Sequence, residues 1–218
     1  MKKPLSLMLA LSLGLTGLSG HALASDDGHY KITITNLTRG SLFTPALAVS
    51  HEKGVKVFTE GAPASDALAQ LAEGGNTQPV QDALFATGKA HASANSGPVL
   101  PGSSVTMMVP MSDDAKRISL VSMVLPTNDG FIALNGVKGP KKGKTKTFYV
   151  PAHDAGSEVN DEHCVNIPGP HCGGAGYNPA GGEGYVHIHA GIHGGGDLVA
   201  AEYDWRNPVV RVTIEHVK

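Results

Sequence analysis

The sequence predicts an all-β protein, an antiparallel eight-stranded β-sandwich with short helical insertions. Short segments with apolar residues at every second position recur along the chain, the period of a half-buried strand. They do not alternate regularly with helical segments, which argues against a wound α/β sheet. Aromatic residues make up only 5% of the 218-residue chain, which carries 28 glycines, and that suits short strands joined by tight turns in a sandwich.

The first element stands apart from the fold. Residues 1–24 place Lys2 and Lys3 before an apolar run that closes on Ala22-Leu23-Ala24, the layout of a secretory signal peptide. The folded domain is therefore expected over residues 25–218, in the periplasm or secreted. The apolar run is shorter than the roughly 20 residues of a membrane-spanning helix, and no later segment qualifies, so no transmembrane segment is expected. Without Lys2 and Lys3 the 17 basic residues become 15 against 19 acidic ones, a net charge of −4. That balance argues against binding nucleic acid through bulk charge.

HYKITITNLT (29–38) puts Tyr30, Ile32 and Ile34 on one face and Lys31, Thr33 and Thr35 on the other, a half-buried strand. Strands are also expected at 42–52, 104–111, 117–125, 131–137, 146–151, 184–190 and 208–217. Between residues 64 and 90, ASDALAQLAEGG and QPVQDALFATG carry apolar residues at three- and four-residue spacing and stop at Gly, so two short helices should form a crossover. GPKKGKT (139–145) has three residues between its glycines where a phosphate-binding loop needs four, and reads as a lysine-rich hairpin turn. Residues 152–183 form one long irregular segment. Loops of that length are usually functional or disordered. Its two cysteines, Cys164 and Cys172, should form a disulfide in an exported protein, which argues for order.

Chain direction brings acids together. If strands 117–125, 131–137 and 146–151 form a meander, the first and third run the same way and the loops after them share one end. Those loops are PTNDG, with Asp129, and AHDAGSE, with Asp154 and Glu158. Carboxylates brought close raise one another's pKa, and a divalent cation relieves the repulsion. Oxygen ligands from loops suit Ca²⁺, and Gly130 and Gly156 let the backbone bend toward it. Solvated loop acids are the plain alternative.

Four stretches carry a resemblance. GVKVFTEGAPASDALAQLAEGGNTQPVQDAL, SLVSMVLPTNDGFIALNGV, VPAHDAGSEV and RNPVVRVTI resemble, in that order, the spondin domain family, found in animal matrix and cell-surface proteins and in exported bacterial proteins. The most specific parts are Gly75 to Pro79, Met123 to Asp129, and Asp154-Ala155-Gly156. The resemblance spans most of residues 30–215. It implies a sandwich similar to calcium-dependent lipid-binding modules, with Ca²⁺ held by Asp129, Asp154 and Glu158, and a role as a binding or adhesion module toward a protein, glycan or lipid surface ligand. Glu158 stands where animal members carry Asp, and Gly130-Phe131 follows the PTND acid where they carry an aromatic residue.

GYVHIHAGIHGGGDL (184–198) offers a second metal chemistry. Period two puts His187 and His189 on one side of a strand, and such a pair can share Zn²⁺ or Cu²⁺ with a third ligand from His193 or Asp197. A polar strand face explains the same alternation without a metal. By the meander reading this pair lies apart from the calcium rim. His163-Cys164 and His171-Cys172 are poor candidates for a Cys₂His₂ site, because adjacent ligands strain tetrahedral geometry. The chain carries no nucleophile elbow, zinc-protease signature or redox-spaced cysteine pair, so no enzyme is expected. Trp205 is expected to pack in the core or at its rim.

Overall fold

A computed structural model describes residues 28–178 and 181–218; the expected signal peptide at residues 1–24 lies outside them. The chain forms β1 (His29–Asn36), β2 (Leu42–Phe43), β3 (Leu47–His51), α1 (Asp66–Gly74), α2 (Gln78–Ala86), β4 (Ala90–Asn95), β5 (Ser104–Pro110), β6 (Arg117–Leu125), β7 (Gly130–Lys138), β8 (Thr145–Val150), β9 (Ala152–Asp154), β10 (His187–Ile188), α3 (Ala200–Tyr203) and β11 (Val210–Val217). One antiparallel sheet runs β5-β1-β11-β8, and the other runs β10-β9-β7-β6-β3-β4 with β2 against β6. The all-β sandwich with helical insertions is thus the observed architecture.

Two cores flank the larger sheet. Ile32, Ile34, Val212 and Ile214 of the smaller sheet pack with Ile118, Leu120, Met123 and Ile132 between the sheets. On the opposite face, Leu68, Leu71, Val80 and Leu84 of α1 and α2 cover Val49, Val121 and Phe131. With layers on both sides, β6 is buried from Ile118 to Leu125, which is why RISLVSMVL reads as a nearly continuous apolar run. Helix α1 starts where the Ser65 side chain accepts the Leu68 amide and stops at Gly75, whose φ is 68°, a left-handed conformation that glycine adopts without strain.

Among the described residues the sheets hold eleven strands where eight were expected. Segment 42–52 breaks at Pro45, which lacks the N–H a ladder needs, leaving β2 and β3. The added β4, AHASAN, is an edge strand of small and polar residues, and its alternation of Ala90, Ala92 and Ala94 is too weakly apolar to reveal it. Segment 184–190 retains strand pairing only at His187–Ile188. The expected meander also changes. GPKKGKT is no hairpin turn, since it carries the chain from β7 in the larger sheet to β8 in the smaller one. After β8 the chain returns as β9, which pairs with the start of β7. Among the described residues, no helix is long and apolar enough to cross a membrane.

Candidate metal centre

The site begins at the turn between β6 and β7. Thr127 Oγ1 donates to the Val124 carbonyl (2.6 Å) and accepts from the Gly130 amide (2.9 Å), closing the turn locally. Asn128 fastens it to the long loop, donating to Asp161 Oδ1 (3.0 Å) and accepting from the Glu162 amide (3.2 Å). Asp129 is 0% exposed. These are not solvated loop acids.

Asp154 reaches Asp129 through sheet pairing. In the β7–β9 ladder Gly130 lies opposite Asp154, and the Ala155 amide donates to the Asp129 carbonyl at 3.2 Å. Asp129 Oδ2 accepts from the amides of Ser157 (2.7 Å) and Glu158 (3.1 Å) and from Ser157 Oγ (3.3 Å). Its Oδ1 is buried with no partner. Asp154, also 0% exposed, accepts from the Gly156 amide at Oδ1 (2.7 Å) and from Asn160 Nδ2 at Oδ2 (2.6 Å). Gly156 has φ 65°, and a Cβ there would sit 2.3 Å from the Tyr185 carbonyl oxygen, so glycine is required where this loop presses against the histidine-bearing segment. Glu158 is 4% exposed, and neither of its carboxylate oxygens makes a hydrogen bond of ordinary geometry, although the Asn178 amide group lies near enough to ease its charge.

A fourth buried acid joins them from α1. Glu73 is 1% exposed, accepts from the Asn178 amide, and lies close enough to Glu158 for their charges to interact. A carboxylate in the last turn of a helix opposes the helix dipole, and that misplacement is the one sign of Glu73's role in the sequence. Burial, then the charge of Asp154, raises the Asp129 carboxyl from 3.8 to about 7, against the opposing pull of the Glu158 and Ser157 amides. Burial, then the charges of Glu73, Asp129 and Asp161, raises Glu158 from 4.5 to about 8. Among Asp129, Asp154 and Glu158 the unpartnered oxygens belong to Asp129 and Glu158, and carboxylates that resist ionising together suit a hard cation. The ligand atoms of the three do not all come within 4.8 Å of one another among the described residues.

The histidine stretch lies at this same end, not apart from it. Segment 181–188 is fastened to the acid loop by the Glu158–Gly181 bridge, by the Gly184 amide on the Gly156 carbonyl (2.8 Å), and by the β9–β10 pairing of His187 with Asp154. His187 Nε2 sits 3.5 Å from Asp154 Oδ1. The His187 donor atom, Asp154 and Glu183 come within 4.8 Å of one another. His187, His189 and His193 form no such group among the described residues. His189 is buried against Trp205, with ring centroids 5.1 Å apart, and its Nδ1 accepts from the Gly191 amide. His193 is exposed, and its backbone has another task. The amides of His193, Gly194 and Gly195 wrap the buried Glu162 carboxylate at 2.6 to 2.9 Å, so the glycine run serves an internal acid. Asp197 accepts from the Cys164 amide at 2.9 Å.

Cys164 and Cys172 form the expected disulfide, with His171 beside it bonded to the Tyr203 hydroxyl. Trp205 belongs to the core between the sheets. Residues 29–158 match the family model described as Spondin_N, a span that ends at Glu158 and leaves out the loop carrying Glu183 and His187. No curated protein matches the chain.

Proposed function

Because the chain belongs to the spondin N-terminal domain family, we propose that it is a secreted, calcium-binding module of the spondin type that acts in binding or adhesion at the cell envelope or outside it. Family membership and the Cys164–Cys172 disulfide fit a secreted protein. The observation that carries the calcium reading is the pair of fully buried carboxylates, Asp129 and Asp154, set side by side by β7 and β9, with Asp129 Oδ1 unpartnered. Burial of two such charges without compensation is unfavourable. Ca²⁺ takes six to eight oxygens at flexible distances, which suits Asp129, Asp154 and Glu158 on two loops of unequal reach.

The ion would draw the 127–129 turn and the 155–161 loop into one rigid rim and turn a negatively charged end of the sandwich into an attractive point for an anionic group on a protein, glycan or lipid surface. With its carboxylates held by backbone amides and by the ion, the rim supplies binding and not catalysis. A ligand that binds only the folded state raises stability with its free concentration. Melting temperature should therefore rise on adding millimolar Ca²⁺ and fall with chelator, and Asp154→Ala should abolish the response. An unmutated protein whose melting is indifferent to calcium would overturn the proposal.

A further inference from the structure

We propose that Asp154, Glu183 and His187 form a mixed oxygen–nitrogen site for a borderline divalent cation, Zn²⁺ above all, which the chain builds with residues beyond its family-matched segment. The inference goes beyond the calcium reading. Asp154 is common to both sites, but Glu183 and His187 are not calcium ligands in that reading.

The tautomer of His187 is the first support. Its Nδ1 lies 2.9 Å from the Ile188 carbonyl oxygen, which can only accept, so Nδ1 carries the proton and Nε2 presents a lone pair in the neutral ring. That lone pair is buried, has no hydrogen-bond partner, and lies 3.5 Å from Asp154 Oδ1, another acceptor. A neutral ring and a carboxylate facing each other as two acceptors repel, and either a proton on the ring or a cation between them relieves this. An imidazole whose far nitrogen is bonded to a backbone carbonyl is also the usual support of a metal-ligating histidine, since that bond fixes both tautomer and ring orientation.

The carboxylates are positioned in the same way. Asn160 Nδ2 donates to Asp154 Oδ2 (2.6 Å) and to Glu183 Oε1 (3.2 Å), so one amide holds two carboxylates together. The three donor atoms lie within 4.8 Å of one another. Donors sharing one zinc lie roughly 3.3 to 4.2 Å apart, and the exposed Glu183, between Gly182 and Gly184, has room to close that difference. Two further groups, each at least nine-tenths buried, border the cluster with unpartnered atoms: Asp129, through Oδ1, and His189, through Nε2. Both interact electrostatically with Asp154 and Glu183. Because His189 Nδ1 accepts from Gly191, the neutral ring carries its proton on Nε2, and His189 is not counted among the ligands. An imidazole nitrogen with two carboxylates is the ligand mixture zinc takes, whereas calcium takes oxygen alone.

The test uses untagged protein, stripped with chelator and dialysed into a buffer that does not bind metal, titrated calorimetrically with ZnCl₂ and assayed by elemental analysis. One equivalent of zinc is expected. His187→Ala and Glu183→Gln, both at solvent-accessible side chains, should each weaken zinc binding by more than about tenfold while leaving the calcium-induced melting shift unchanged. Sub-stoichiometric zinc in the unmutated protein, or undiminished affinity in His187→Ala, would overturn the site and leave a protonated His187 paired with Asp154 as the explanation. Zinc binding that persists where calcium gives no melting shift would uphold this site and overturn only the calcium reading.

Discussion

Asp129→Asn isolates the burden that the buried carboxylate places on the metal-free fold. Asn has nearly the same shape, its carbonyl oxygen can accept from the Ser157 and Glu158 amides as Oδ2 does, and its NH₂ occupies the place of the unpartnered Oδ1 beside Asp154. The folded state holds the Asp129 proton more tightly than the unfolded chain does, because burial and the Asp154 charge lift it from 3.8 to about 7. Proton uptake therefore stabilises the folded form. That advantage is complete below pH 3.8 and is lost as pH rises through about 7. At about 1.4 kcal/mol per pH unit, the move bounds the effect at about 4 kcal/mol, and relaxation of the loop should leave about 1 to 3 kcal/mol. In chelator, the variant should exceed the unmutated protein by roughly 3 to 10 °C in melting temperature at pH 8 and by a clearly smaller margin at pH 5, which lies inside the window from 3.8 to about 7. In millimolar calcium the order at pH 8 should reverse, because the variant has lost a charged ligand. The assay is thermal or urea unfolding across pH 5 to 8, with and without calcium. A variant that is less stable by the same amount at both pH values in chelator would refute the reasoning, since the carboxylate would then be stabilising the fold instead of straining it.

The layered packing makes further predictions. Phe131 is fully buried, edge-on to Phe58 at 5.4 Å and stacked on His153 at 5.4 Å, so Phe131→Ala should cost about 3 to 5 kcal/mol by urea denaturation; a loss below about 1 kcal/mol would show that the layer between the larger sheet and the helices is not packed as described. The Cys164–Cys172 disulfide closes a separation of 8 residues. Its removal by Cys164→Ala/Cys172→Ala should cost about 2 to 3 kcal/mol, read as a fall in melting temperature that reductant reproduces in the unmutated protein and not in the variant.

Alternation located β1, β5, β8 and β11 because each has one wet face and one dry face. It gave no separate sign of β9, which is buried throughout, or of β4, a half-exposed edge strand of small and polar residues, since the pairing of both depends on their neighbours. Helices α1 and α2 were legible from spacing and from their glycine stops. At the candidate site, Asp129, Asp154 and Glu158 stood out as acids on loops expected to converge. The approach of the Asp154 loop to Asp129 was anticipated through a meander, whereas the observed route crosses to the other sheet and returns, and the three carboxylates do not close into one cluster within 4.8 Å among the described residues.

What the residues alone determined is local: the strand and helix periods, the caps, the disulfide partners, and the acid-rich turns at the ends of strands. Tertiary structure decided which of those turns are buried and who shares their space. Glu73 and Asn178 meet across 105 positions, and Glu183 and Asn160 across 23. The side-chain period of a strand names the face a residue takes and is silent about the strand laid opposite it. Whether a carboxylate is an ordinary surface charge or a strained buried one depends on that opposite neighbour, because desolvation and repulsion are set by distance in space and not by spacing along the chain.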